Sequence, residues 1–247
     1  MTLNLALVES ALQLVPTGIQ GHSQIKKYAE RRMKKPSEVL LDTAFHHAAM
    51  QKLARKRIPI EKMGRPDIVH NTLLQILETP LNWENQLRVF VHTQDDYVIS
   101  INPKIRLPKN YTRFVGLIEQ LFAKEQVPER GAPLMKVEKG TVQNLISRIR
   151  PSRVLGFSVL GQPTLMRTTA NDVAKVSDPL VFIGGFPRGH FSGETTHSLN
   201  STFKVDRQSL DAWVVAGRFV YDFEWAIGVA QRRTKPRMTD DDRGFRT

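Results

Sequence analysis

Short β-rich runs alternate with helical patterns along this chain, and that alternation restricts the fold more than any other feature. The runs fall at residues 3–8, 39–41, 87–92, 97–101, 154–160 and 180–183. Strands separated by helices predict an α/β fold. The clearest helix follows Gly64-Arg65-Pro66, with Asp67 in its first turn, where a carboxylate suits the free N–H groups. Val69, Thr72, Leu73, Ile76 and Leu77 then share one face, as do Phe114, Leu117, Ile118, Leu121 and Phe122 of a second helix. A third is expected over residues 209–225, with Leu210, Trp213, Val214, Phe219, Val220 and Phe223 as apolar candidates. These six exceed what a single core stripe needs, so either part of the surplus faces a partner or the helix is buried on two sides within one subunit. Residues 128–133 read as a loop, no internal repeat is visible, and the expected organisation is one domain over 1–230 with a flexible tail of mixed charge over 231–247.

The chain has 36 Lys+Arg against 24 Asp+Glu, a formal net charge of +12, which attracts polyanions by steering and counterion release. The excess is clustered. One block is Lys26, Lys27, Arg31, Arg32, Lys34 and Lys35, and a second is Lys52, Arg55, Lys56, Arg57, Lys62 and Arg65. A third, Lys104, Arg106, Lys109 and Arg113, contains no acid and is interspersed with Asn102, Pro103, Pro108, Asn110 and Tyr111. The first block reads as a solvated helix face. The third reads as a rigid loop whose cations and ring suit RNA phosphates and unpaired bases. With no cysteine there is no disulfide, thiolate zinc site, iron–sulfur cluster or thiol nucleophile. No apolar run approaches the roughly 18–20 residues of a membrane span, and no export signal is seen, so a cytosolic (cytoplasmic) or nuclear location is expected.

Gly184-Gly185-Phe186-Pro187-Arg188-Gly189 follows a short apolar strand, but His190-Phe191 stand where a phosphate-binding loop needs Lys and Ser/Thr, and GxGxxG spacing is absent. What remains is a Gly-rich loop that lets backbone groups approach a flat ligand, or a plain tight turn. The seven histidines form no HExxH or comparable set, so no metal is expected, and His46-His47 ahead of a helix read as structural or surface residues. Ser158 and Ser192 lack a G-x-S-x-G context. Arg65 is a candidate clamp for a phosphate or base, with Asp67 placed to hold its guanidinium; the alternative is an ordinary first-turn carboxylate beside an unrelated Arg.

Phe45-His46-His47, Gly64-Arg65-Pro66-Asp67-Ile68-Val69-His70, Leu77-Glu78-Thr79-Pro80-Leu81-Asn82, Leu87-Arg88-Val89 with His92-Thr93, Arg106-Leu107-Pro108 through Arg113-Phe114 with Gly116-Leu117, and the loop at 184–189 occur in a telling order. Over residues 3–229 the chain resembles the ribosome-biogenesis pseudouridine-N(1) methyltransferases of the SPOUT superfamily. The resemblance implies a SPOUT-type α/β fold with a deep C-terminal trefoil knot, about residues 153–225, and a family-specific insertion. It also implies S-adenosylmethionine as methyl donor with S-adenosylhomocysteine as product, no metal, small-subunit ribosomal RNA as substrate, a role in ribosome assembly, and a homodimer. No membrane or DNA partner is expected; the compartment it suggests is an archaeal cytosol, or a nucleolus for a eukaryotic relative. Carried over by residue, Arg65, Arg106, Lys109 and Arg113 match RNA-contacting positions, and Asp67 the carboxylate supporting the first. Arg65 and Asp67 are also candidates for substrate positioning, and no catalytic base is assigned. Lys109 stands where the family often has Arg, keeping the charge but not the bidentate fork. Gly184, Gly189, Val205, Asp206, Arg207, Gln208, Ser209 and Leu210 match the cofactor loops, with Ser158 a candidate in the first knot loop. About three additional residues separate Gly189 from Val205 relative to shorter relatives. Two other readings are an RNA-binding assembly factor with little or no catalysis and a different SPOUT RNA methyltransferase.

Overall fold

The computed structural model describes residues 1–56 and 60–234. Its strands are β1 (Leu3–Ser10), β2 (Leu87–Thr93), β3 (Tyr97–Ile101), β4 (Gln126–Val127), β5 (Met135–Lys139), β6 (Val154–Pro163), β7 (Leu180–Gly184) and β8 (Ser201–Lys204). They form one sheet in the order β4-β5-β3-β2-β1-β7-β6-β8. From β2 to β8 neighbouring strands are parallel, while β3, β5 and β4 extend the other edge as an antiparallel meander.

Every residue of β1 is buried, as expected of a central parallel strand covered on both faces. Alternation then assigns the faces. Leu3, Leu5 and Leu7 join Val181 and Ile183 of β7 in the main core. Ala6 and Val8 point the other way, with Leu180 and Phe182, into a second core. The first face is covered by α4 (Pro66–Leu77), α6 (Tyr111–Lys124), α8 (Met166–Val173) and α10 (Ala212–Ala226), and the second by α7 (Val142–Ile149). Between β1 and α4 the chain leaves the sheet to build α1 (Thr17–Gln20), α2 (Ser23–Arg31) and α3 (Thr43–Arg55) around a separate small core that includes Val15, Ile25, Leu41, Ala49 and Leu53. Glu119 of α6, with no side-chain exposure, ties this cluster down: it accepts from Arg32 and Lys34 at 2.6 Å each and from the Leu40 amide at 3.0 Å. Short helices α5 (Pro80–Trp83), α9 (Gly193–His197) and α11 (Val229–Thr234) complete the described chain.

Several expectations change. Residues 39–41 are no strand of the sheet; Val39 and Leu41 sit in the small helical core, while Leu40 faces the main core and makes one isolated bridge to Leu14. β4, β5 and β8 lack the apolar runs that reveal buried strands, because they lie at or near the sheet edges. His46-His47 lie within α3 rather than ahead of it; His46 is buried and accepts from the Asp42 amide at 3.0 Å. The helix expected over 209–225 runs as α10 from Ala212 to Ala226, with Leu210 still in the preceding loop. The first residues of the expected tail, 231–234, are helical in α11. Arg57 of the second basic block and the rest of the tail, 235–247, lie outside the described residues.

Candidate functional site

In open α/β sheets ligands lie outside the carboxyl ends of the strands, here those of β6, β7 and β8. A cavity of about 310 Å³ opens there. Phe157 and Ser158 of β6, Ile183 and Gly184 of β7, the loop through Gly189 to Phe191, and residues 203–206 and 208–213 line it. Of the residues expected at a cofactor, Ser158, Gly184, Gly189, Val205, Asp206, Gln208, Ser209 and Leu210 meet at this cavity, while Arg207 projects away from it and is exposed. Gly185 still bonds to β1 just before the loop bends, and an added Cβ there would lie 2.9 Å from the Ser10 Cα, so only glycine permits this approach to β1. The walls missed by sequence reasoning are mainly aromatic: Phe157, Phe186, Phe191, Phe203 and Trp213. Their signal was weak because they come from four separate segments.

Arg65 reaches the same cavity from the other side. The Gly64 carbonyl accepts from both the Thr43 amide at 2.8 Å and the Thr43 hydroxyl at 2.7 Å, and the Arg65 amide donates to the Ala11 carbonyl at 3.1 Å. Pro66 then starts α4 with a preset φ. The Arg65 guanidinium is held in a two-point fork by Asp67, Nε to Oδ1 at 2.8 Å and Nη2 to Oδ2 at 2.7 Å. That hydrogen bonding raises the Arg65 pKa against the opposing effect of desolvation, with smaller help from the charges of Asp67, Asp211 and Asp42. The guanidinium is thereby aimed while about 40% of the side chain stays exposed.

Arg106, Lys109 and Arg113 stand apart from the cavity and face solvent. None has an ion-pair partner among the described residues. Their segment is nevertheless anchored. Ile105 and Leu107 are buried on either side of Arg106, His70 Nε2 donates to the Pro108 carbonyl at 2.7 Å, and the Asn110 side chain accepts from the Arg113 amide at 3.1 Å. Arg113 belongs to the first turn of α6 instead of the irregular stretch. Tyr111 is no free stacking ring: its hydroxyl donates to Asp42. Burial and the neighbouring Asp42 carboxylate raise its pKa and keep the phenol protonated. His70, which sequence reasoning left unassigned, thus joins α4 to the basic segment and stacks on Phe114 with centroids 4.3 Å apart.

The family described as EMG1/NEP1 methyltransferase matches residues 5–224. The chain belongs to this family. Among curated relatives of this EMG1/NEP1 protein, the ribosomal RNA small subunit methyltransferase Nep1 of Thermococcus kodakarensis is 41% identical over 227 residues, covering 92% of this chain and 100% of its own. The protein of the same name from Pyrococcus furiosus is 40% identical over 225 residues, covering 91% of this chain and 97% of its own. The crystal structure of Archaeoglobus fulgidus Nep1 bound to S-adenosylhomocysteine superposes with a TM-score of 0.79 at 33% identity, covering 92% of this chain and 99% of that one.

Proposed function

We propose that this EMG1/NEP1 family protein transfers a methyl group from S-adenosylmethionine to N(1) of a pseudouridine in small-subunit ribosomal RNA, and that it serves ribosome assembly through the same RNA. The observation that carries the reading is that Arg65, held by Asp67, opens onto the cavity formed by the glycine loop. The cavity suits the cofactor. Phe157, Ile183, Phe203 and Leu210 offer apolar walls for a nucleobase, and Ser158, Gln208 and Ser209 offer polar groups, with the carboxylates of Asp206 and Asp211 available to a cationic amino-acid end. Structural similarity to the S-adenosylhomocysteine-bound Nep1 of A. fulgidus supports the same choice.

When bound, the cofactor supplies an electrophilic methyl carbon. The chain's contribution is alignment and exclusion of water. Arg65 fixes a phosphate or base edge at the cavity rim, and its charge favours loss of the N(1) proton to solvent as the ring nitrogen takes the methyl group. The Phe186 and Phe191 side chains and Trp213 limit water on the cavity side. Arg106, Lys109 and Arg113 hold the backbone of the flanking RNA. In this reading residues 1–230 act as one SPOUT domain, about 153–225 form the trefoil knot, the helical cluster ahead of α4 is the family insertion, and two copies associate. The proposed setting is an archaeal cytosol.

Labelled S-adenosylmethionine incubated with a pseudouridine-containing hairpin tests this. Transfer to that hairpin and none to the matching uridine hairpin is expected. Equal transfer to both would overturn the specificity, and RNA binding without cofactor binding would favour a non-catalytic assembly factor.

A further inference from the structure

Glu9 sits at the carboxyl end of β1 with φ at 51°, a left-handed conformation that a non-glycine residue adopts only where its surroundings hold it. Its amide donates to His92 Nδ1 at 3.3 Å and its carbonyl accepts from Gln94 Nε2 at 2.6 Å. The side chain is nearly buried, and its two oxygens serve two different loops. Oε1 accepts from the Ser192 amide at 2.7 Å, at the end of the glycine loop. Oε2 pairs with Lys62 Nζ at 2.5 Å, three residues ahead of Arg65. Lys62 also donates to the His190 carbonyl, and its ammonium lies 4.2 Å from the Phe186 ring centroid. Two residues after Glu9, the backbone repeats the connection. The Ala11 amide donates to the Gly185 carbonyl at 2.9 Å, and the Ala11 carbonyl accepts from the Arg65 amide at 3.1 Å.

The end of β1 therefore joins the two halves of the site, side chain and backbone each contacting both. Resting on the function proposed above, we infer that Glu9 is a positioning residue which, through Lys62, sets the glycine loop against Arg65 and makes cofactor binding and RNA binding depend on each other. An ion pair shared by two loops carries such coupling because loosening either loop weakens the contact that orders the other. A purely structural pair would contribute to stability and leave the two affinities independent.

The test compares the full chain with Lys62→Met, Glu9→Gln and the charge-retaining Lys62→Arg. S-adenosylhomocysteine affinity is measured by calorimetry with and without a pseudouridine hairpin. In the parent protein the hairpin is expected to change that affinity at least fivefold; the ratio should fall to about one in Lys62→Met and Glu9→Gln and recover in Lys62→Arg. A parent ratio of one, or a ratio unchanged in both neutral variants, would overturn the coupling. Hydrogen exchange gives a second readout that needs no ligand. In Lys62→Met the amides of Ser192 and Arg65 should exchange about tenfold faster together, with those inside α10 unaffected. Acceleration of only one of the two amides, or of neither, refutes the brace. If the parent binds no S-adenosylhomocysteine, the proposed function fails, and the exchange result still decides the brace.

Discussion

At Asp67 one carboxylate grips two N–H groups on one edge of a guanidinium and also faces the free N–H groups of the first turn of α4, so a substitution there removes two interactions together. Asp67→Gly adds the backbone freedom of glycine, and the sum is expected to cost about 1–2 kcal/mol, since a pair this exposed contributes less than a buried one. Urea unfolding measures it, and the RNA affinity should fall in parallel as Arg65 loses its aim; unchanged values in both would mean the fork is unimportant. His46 and His92 carry a pH dependence. Burial lowers both pKa values below the ordinary 6.5, against smaller raising effects from Asp42 and Glu119 at the first and Asp96 at the second. The unfolded chain then takes up protons near pH 6.5 that the folded one refuses, so stability is complete above that pH and declines as pH drops toward the folded values. Denaturation midpoints at pH 7.5 and 5.5 should show the decline, and it should shrink in His92→Gln, whose amide can still accept from the Glu9 amide.

The basic segment shows how an element without regular structure is held. Ile105 and Leu107 are buried, and the residue between them has nowhere to point but outward. Arg106→Ala should therefore weaken RNA binding by about 1–3 kcal/mol and reduce the salt slope by about one unit, leaving stability and cofactor affinity nearly unchanged. Leu107→Ala should instead destabilise the fold by roughly 2–4 kcal/mol through the cavity it leaves. Filter binding across a salt series, paired with thermal melts, separates the two. Much of this was legible beforehand. The strands at β1, β2, β3, β6 and β7 announce themselves as apolar runs, and α4 by Gly64-Arg65-Pro66-Asp67 followed by its stripe. What stayed hidden depends on long-range contacts. β5 and β8 take their form from neighbours in the sheet, Glu9 looks like an ordinary strand residue until Lys62 and Ser192 arrive beside it, and Tyr111 reads as exposed until Asp42 claims its hydroxyl. Composition and periodicity report local burial; they do not report which distant side chains share a carboxylate.

At the scale of the whole molecule, α10 presents two characters. Phe219, Val220 and Phe223 are fully buried against the sheet and α4, whereas Tyr221 and Trp225 are 54% and 44% exposed, their rings 6.4 Å apart. Sedimentation at micromolar concentration should find a species near twice 28.1 kDa, and Tyr221→Lys combined with Trp225→Lys should return it to one chain's mass. A parent protein that sediments as a single chain would refute the association. Synthesis raises a different demand on the same architecture. β1 is the first strand to be made and lies in the middle of the sheet, with Asn4 paired to Leu180 and Leu5 to Val181. A ribosome adding roughly 5–20 residues per second needs on the order of 10–35 s to reach β7 after β1 has been translated. For that interval one edge of an eight-residue, wholly buried strand has no native neighbour, so newly made chains should be far more prone to aggregate than the finished protein, and folding yield in a translation extract should rise when elongation past β7 is hastened or a holdase is supplied.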